Sequence, residues 1–220
     1  KSEAEERVHE ALTAALPEEF RLYPNVRWIH KEHHKAPARD GETDMVILHP
    51  EFGLLIVETK GGRIQRDTNG RCWSGRNQLK PPPFEQAETS KHAVVRKLVG
   101  LPDWPGHEAE MRAGHAVAVP DVDISTVAHP ERSLGADASP VLVLDRQAMT
   151  SETSVKEWVI GAYDYWVGDG RRGRAMTGRE VAIADEVLSP APMEVTSALR
   201  HDIEAGEAEV VKLTRGQFLI

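Results

Sequence analysis

Two short runs in this chain bring together residue types that can attack a phosphodiester. Asp44 closes Gly41-Glu42-Thr43-Asp44, and Glu58-Thr59-Lys60 follows fourteen residues later. Between them lie Met45-Val46-Ile47-Leu48, a turn at Pro50-Glu51-Phe52-Gly53, and Leu54-Leu55-Ile56-Val57. That order predicts a hairpin in which Asp44 starts one strand and Glu58 ends the next. Side chains two apart on a strand share a face, so Glu58 and Lys60 should point with Leu54 and Ile56. Two carboxylates and one ammonium would then converge at a corner of a sheet. Hard divalent cations such as Mg²⁺ take carboxylate oxygens and keep several waters. Such a cation polarises a phosphate oxygen and stabilises a leaving oxygen, and a neighbouring lysine can orient the attacking water. The same Glu-x-Lys pattern also describes a surface ion pair with no chemical role. Asp44 at the right place on a paired strand is what sets the two readings apart.

The surrounding elements must bring these groups together. Residues 3 to 16 read as a helix stopped by Pro17, with Ala4, Val8, Ala11, Leu12 and Ala15 as its apolar stripe. At ~100° per residue, Glu5 falls about 60° from Val8, inside the margin of that stripe, whereas Glu6 falls on the opposite side. A carboxylate on a buried face calls for a partner. A strand is expected over 20–29. His30, His33 and His34 follow in a loop running to Gly41; without regular spacing they read as a solvated loop rather than as metal ligands. After Gly61-Gly62, a second hairpin runs from Arg63-Ile64-Gln65 through an Asn69-Gly70 turn and back along Arg71-Cys72-Trp73. Pro81-Pro82-Pro83 leads into a helix over 84–99 with Ala87, Val94, Val95 and Leu98 inward, and Gln86 lies in its first turn at the edge of the apolar stripe. Residues 116–119 and 141–144 read as buried strands, followed by Asp121 and Asp145. Buried strands separated by helices predict an α/β fold with a mixed sheet. Helices are expected over 153–167, 178–188 and 193–205. The chain thus divides into a core, 1–147, and a C-terminal helical extension, 148–220.

Bulk composition narrows the function. The 220 residues carry a net charge of −8, which argues against a tight stand-alone DNA binder, because affinity for DNA comes largely from neutralised phosphates. Basic residues nevertheless cluster locally. Arg63, Arg66, Arg71, Arg76 and Lys80 accompany the single acid Asp67 between residues 61 and 80, and Arg171, Arg172, Arg174 and Arg179 form a second run. The first run reads equally as a nucleic-acid contact or as a solvated hairpin; the second is better read as a solvated loop. Cys72 is the only cysteine, which excludes internal disulfides and cysteine-rich zinc sites and fits a reducing cytoplasm. No apolar run approaches the ~20 residues of a membrane span. The chain opens on a lysine with no signal-peptide pattern, as expected of a trimmed piece of a longer protein.

The order of motifs resembles the PD-(D/E)xK nuclease superfamily, and more closely its NERD (nuclease-related domain) branch. The resemblance is carried by Ala4-Glu5-Glu6-Arg7-Val8, Gly41-Glu42-Thr43-Asp44, Gly53 to Gly61, Pro83-Phe84-Glu85-Gln86-Ala87, and Ala116 to Asp121. It implies a mixed sheet flanked by helices, with Asp44, Glu58 and Lys60 as the catalytic set. Asp44, Glu58 and the backbone carbonyl of Thr59 would hold Mg²⁺ or Mn²⁺. Glu5 would be an additional acid and Gln86 an additional polar group at the site. Arg63, Arg66, Arg71 and Arg76 would meet DNA, single-stranded or branched. Near the end, Leu213-Thr214-Arg215-Gly216-Gln217 resembles the entry to the motor of UvrD-like DNA helicases, which implies a helicase motor in the same polypeptide. The alternative is a non-catalytic nucleic-acid-binding or regulatory module attached to such a helicase.

Overall fold

Helix α1 (Glu3–Ala15) opens the described chain. Ser2 caps it, accepting from Glu5 N–H, and the Glu5 carboxylate returns the bond to the Ser2 backbone in a capping box. Pro17 ends it, since proline cannot continue the helical hydrogen bonding. The computed structural model describes residues 2–30, 37–67, 69–130, 134, 136–168 and 173–189. These belong to one compact unit spanning residues 1–189. The helix expected over 193–205 and the helicase-like segment at 210–218 lie outside the described residues, as do His33 and His34.

Five strands form the main sheet: β1 (Arg21–His30), β2 (Arg39–His49), β3 (Gly53–Thr59), β7 (Ala113–Val119) and β8 (Val143–Asp145), side by side in that order. The β1, β2 and β3 neighbours run antiparallel, whereas β3, β7 and β8 run parallel. A parallel neighbour needs a crossover. Here the crossover contains the small antiparallel sheet of β4 (Ile64–Arg66), β5 (Cys72–Ser74) and β6 (Asn77–Leu79), followed by α2 (Pro83–Val99). Helices α3 (Glu152–Val167) and α4 (Gly178–Leu188) complete the chain's described part.

Both faces of the sheet are covered, and the alternation along β2 and β3 assigns each residue to one of them. Met45, Ile47, Leu55 and Val57 pack with Val8 and Leu12 of α1 and with Val159 and Tyr163 of α3. Val46, Leu48, Leu54 and Ile56 pack with Val94 and Leu98 of α2 and Val181 and Ala184 of α4. That is why β3 reads as a continuous apolar run rather than as an alternating one. Each fully buried aliphatic side chain stabilises the sheet by about 1.5–3 kcal/mol. Tyr163, fully buried, donates its hydroxyl to the Ile47 carbonyl at 2.9 Å, which ties α3 to the middle of β2. Among the described residues, no helix is long and apolar enough to cross a membrane.

The expected α/β class with a mixed, helix-flanked sheet is what the chain adopts. Several local expectations need correction: His30 ends β1 and residues 39–41 belong to β2, where a loop was expected. Asp44 does not start its strand: β2 begins five residues earlier, at Arg39, because β1 is long enough to pair with the whole segment, Trp28 opposite Gly41 and His30 opposite Arg39. The Trp28 ring occupies the space a side chain at residue 41 would fill, with its nearest atom 2.3 Å from where a Cβ would stand. The 141–144 run splits, Pro140–Leu142 forming a 3₁₀ turn with Val141 exposed and only Val143–Asp145 forming strand. Strand β6 has no apolar signature. It exists because Gly75, at φ +58°, lets the chain turn back onto β5.

Gly53 sets the start of β3 and hence the position of its far end. Its φ is +86°, and a Cβ there would stand 2.0 Å from the Arg112 carbonyl oxygen. Gly53→Ala should destabilise the protein by about 2–4 kcal/mol, read as a lower urea midpoint. An unchanged midpoint would show that the β2–β3 turn tolerates a different backbone.

Candidate active site

The site forms where β2 and β3 part. Their ladder ends at Met45 opposite Val57, which leaves Asp44 and Glu58 as the next residues on each strand. Beyond that point β3 stays with β7, through Thr59 opposite Ala118 and a 2.9 Å bond from Lys60 N–H to the Ala118 carbonyl. On the β2 side the Asp44 side chain takes over from the ladder: Thr59 N–H donates to Asp44 Oδ2 at 2.6 Å. Asp44 is also irregular toward β1. Pro24 pairs with Met45 and Val26 with Thr43, but the rung between them, Asn25 opposite Asp44, is missing, and Asn25 has φ +55°. Lys60 closes the group, donating from Nζ to Glu58 Oε1 at 2.5 Å.

Two carboxylates thus lie side by side in a poorly hydrated corner. Glu58 is 4% exposed. Burial, and then the neighbouring Asp44 charge, push its carboxyl up to about 7, against the opposing pull of Lys60. Asp44 is also raised, by burial first, although the Thr59 N–H and Lys60 favour its charged form. Among the described residues, the only hydrogen bonds to these carboxylates fall on Asp44 Oδ2 and Glu58 Oε1. Among the described residues, one oxygen of each receives no donor. That donor set fits a hard divalent cation, which takes a few carboxylate oxygens and completes its shell with water or main-chain oxygen. Among the described residues there is no group of three or more His, Cys, Asp or Glu side chains placed to hold an ion by themselves.

The other sequence-derived candidates fall at varying distances from this corner. Glu5 is half-buried while Glu3 and Glu6 are exposed, as helical phase anticipates. Its charge contributes to raising both Asp44 and Glu58. Its oxygens, however, are engaged at the helix start, by Ser2 Oγ at 2.7 Å and Ser2 N–H at 3.1 Å. Gln86 donates to the Pro81 carbonyl at 2.5 Å and makes no bond to the carboxylates. Arg63, Arg71 and Arg76 are exposed on the small sheet and its turns. Arg66 is occupied, bonding the Leu134 carbonyl and, at 2.9 Å, Asp137 Oδ1.

Asp121 has a role that sequence reasoning did not find. Its Oδ2 accepts from Gly62 N–H and its Oδ1 from Arg7, each at 2.6 Å, so it clamps the turn after Lys60 to α1. The Gly62 bond, then the Arg7 bond, hold its carboxyl below the usual range. Gly61 lies against Ala4 of the same helix, where a Cβ would stand 2.9 Å from the Ala4 methyl. The available signal was an acid just past a buried strand, but its partners lie 59 and 114 residues away in sequence.

Two outcomes are expected. Because the Glu58 carboxyl titrates higher in the folded chain than its ordinary value, the stability linked to it is complete below about pH 4.5 and is lost as pH rises through about 7. Glu58→Gln should therefore match the parent near pH 4.5 but gain on the order of 2–3 kcal/mol at pH 8, in chelator. Parallel unfolding profiles for the two proteins would refute this. Asp121→Ala should cost about 1 kcal/mol in urea unfolding, a modest value because the group is partly exposed. No loss would mean the clamp to Gly62 and Arg7 holds nothing in place.

A family model described as NERD, the nuclease-related domain, matches residues 1–119. No curated protein and no solved structure gives a match. The matched span takes in Asp44, Glu58, Lys60 and Gln86, and it ends at Val119, the last residue of β7. With more than half of the sequence inside that match and a mixed sheet of PD-(D/E)xK type around the paired carboxylates, the chain belongs to the NERD family of nuclease-related domains.

Proposed function

We propose that this chain is a Mg²⁺- or Mn²⁺-dependent nuclease domain that hydrolyses DNA phosphodiester bonds. The observation that carries the reading is the convergence of Asp44, Glu58 and Lys60 where β2 and β3 part, with Lys60 Nζ 2.5 Å from Glu58 Oε1. Asp44, Glu58 and the Thr59 carbonyl would hold the cation. When bound, that cation supplies Lewis-acid polarisation of the phosphodiester. Asp44 stays oriented by the Thr59 N–H. Glu58 must give up its proton to act as a ligand, so ion binding should strengthen as pH rises through about 7. Lys60 orients the attacking water and balances the charge that builds on the phosphate. Glu5 adds negative field that favours a cation. Gln86, at the start of α2, would steady the site or touch the strand being cut.

Exposed Arg63, Arg71 and Arg76 support a backbone contact on the small sheet, and Arg66 would join it by exchanging its bond to Asp137 for a phosphate. The segment Leu213-Thr214-Arg215-Gly216-Gln217 supports linkage to a helicase motor, and a DNA-processing or repair role with it. Such a motor would supply much of the DNA affinity that a net charge of −8 denies this chain. The single cysteine fits a cytoplasmic setting.

Cleavage of end-labelled single-stranded, duplex and branched DNA in Mg²⁺, Mn²⁺ or chelator tests the reading. Metal-dependent cutting should fall about 100-fold or more in Lys60→Ala. A folded protein that binds DNA and cuts none of these substrates with either metal would instead be a binding module.

A further inference from the structure

We infer that a cavity beside the paired carboxylates receives one unstacked nucleobase of the substrate strand. The inference rests on the nuclease reading above and adds to it the form of DNA the site takes. The cavity has a volume of about 460 Å³, with walls that include Ile64, Phe84, Val117, Val119 and Val143. It therefore lies between the small sheet, the start of α2 and the ends of the parallel strands.

Register places it on the side of the sheet where the chemistry would occur. Glu58 stands opposite Val117 on β7, and Val117 stands opposite Val143 on β8. Residues paired across neighbouring strands share a face, and strands are about 4.8 Å apart. Val117 is thus one strand from Glu58 and Val143 two, with Val119 on the same face as both. A phosphate held at Glu58 and Lys60 would carry its base into this range. Ile64 is only four residues past Lys60 on the next strand of the chain, so the strand leaving the site meets the cavity directly.

The lining suits a base better than a purely apolar ligand. Aliphatic walls and the Phe84 ring can accept the flat face of a base, an interaction open to every base. Part of the lining is polar: it includes Gln65 and the Arg66–Asp137 pair, joined at 2.9 Å. Amide, guanidinium and carboxylate together offer donors and acceptors to a base edge. A base held in a duplex stack cannot enter without being extruded, and extrusion is least costly from a strand already unpaired. The cavity therefore selects single-stranded or frayed DNA at the nucleotide next to the cut.

The test uses the full 220-residue chain and short single strands carrying, at one position at a time, either an abasic site or a fluorescent adenine analogue that brightens when unstacked. Binding is read with the parent in chelator and with Lys60→Ala in Mg²⁺. One position, adjacent to the mapped cut, should brighten on binding, and an abasic site at that position should weaken binding about ten-fold. Ile64→Trp and Ile124→Trp, which fill the cavity from two sides, should remove both the brightening and the abasic penalty. The abasic comparison in the parent needs no substitution, so it stands if either variant misfolds. Cutting without any position-specific brightening or abasic penalty overturns the pocket and leaves the nuclease reading intact. Brightening and an abasic penalty without cutting in any metal overturn the nuclease reading and leave the pocket. Absence of binding to every strand overturns the pocket.

Discussion

Holding two carboxylates together in a nearly dry corner is the constraint on which the rest of this structure depends. Burial raises the cost of ionising both Asp44 and Glu58, and the Asp44 charge raises it further for Glu58. The fold offsets that cost with one ammonium and one main-chain N–H, from Lys60 and Thr59. Both compensating groups come from the same short segment as Glu58. The segment can serve all three purposes only because β3 leaves β2 at that point. Had the β2–β3 ladder continued, the Thr59 N–H would have been drawn into strand pairing and Asp44 would have lost its donor.

Rigidity comes from the layers on either side. The four residues Leu54 to Val57 are fully buried, two against each helical layer, so β3 cannot slip by one residue without turning its whole apolar set over. Gly53 fixes one end by close approach to Arg112, and the Asp121 clamp fixes the other through Gly62 and Arg7. The polar corner is therefore the end of a strand held at both termini. Such a frame can maintain two like charges at short range, where a loop would let them drift apart into water.

Local patterning made most of this legible. Alternation and continuous apolar runs identified the hairpin, and the turn residues set its register closely enough to place Asp44 near Glu58. Asp44 lies beside Glu58 although its strand began earlier than expected, because the pairing of β2 with β3 is set from the turn and not from where β2 starts. Helical phase separated half-buried Glu5 from exposed Glu6, but phase speaks only of direction. The Ser2-Glu3-Ala4-Glu5 spacing is itself a capping-box signature, and it accounts for the bonds the Glu5 carboxylate makes. The Asp121 clamp was illegible for a different reason: its partners are distant in sequence, and a hydrogen bond of this kind leaves no periodic trace. Likewise, β6 depends on a glycine turn and backbone pairing rather than on any apolar pattern.

The charge distribution follows from the same architecture. In the proposed function an acidic chain meets a polyanion, and its positive groups are needed where the strand would pass. The small sheet is inserted in the crossover that follows Lys60, so Arg63, Arg66, Arg71 and Arg76 all come within sixteen residues of it in the chain. Because β4 to β6 form a separate three-stranded sheet, these arginines can face solvent without disturbing the buried layers. At physiological salt, interactions between exposed charges fade over ~8 Å. A phosphate at the small sheet would thus be governed by the nearby arginines more than by the net charge of −8 over the whole chain. Local placement, rather than total charge, is the electrostatic quantity that matters for a strand lying across this corner.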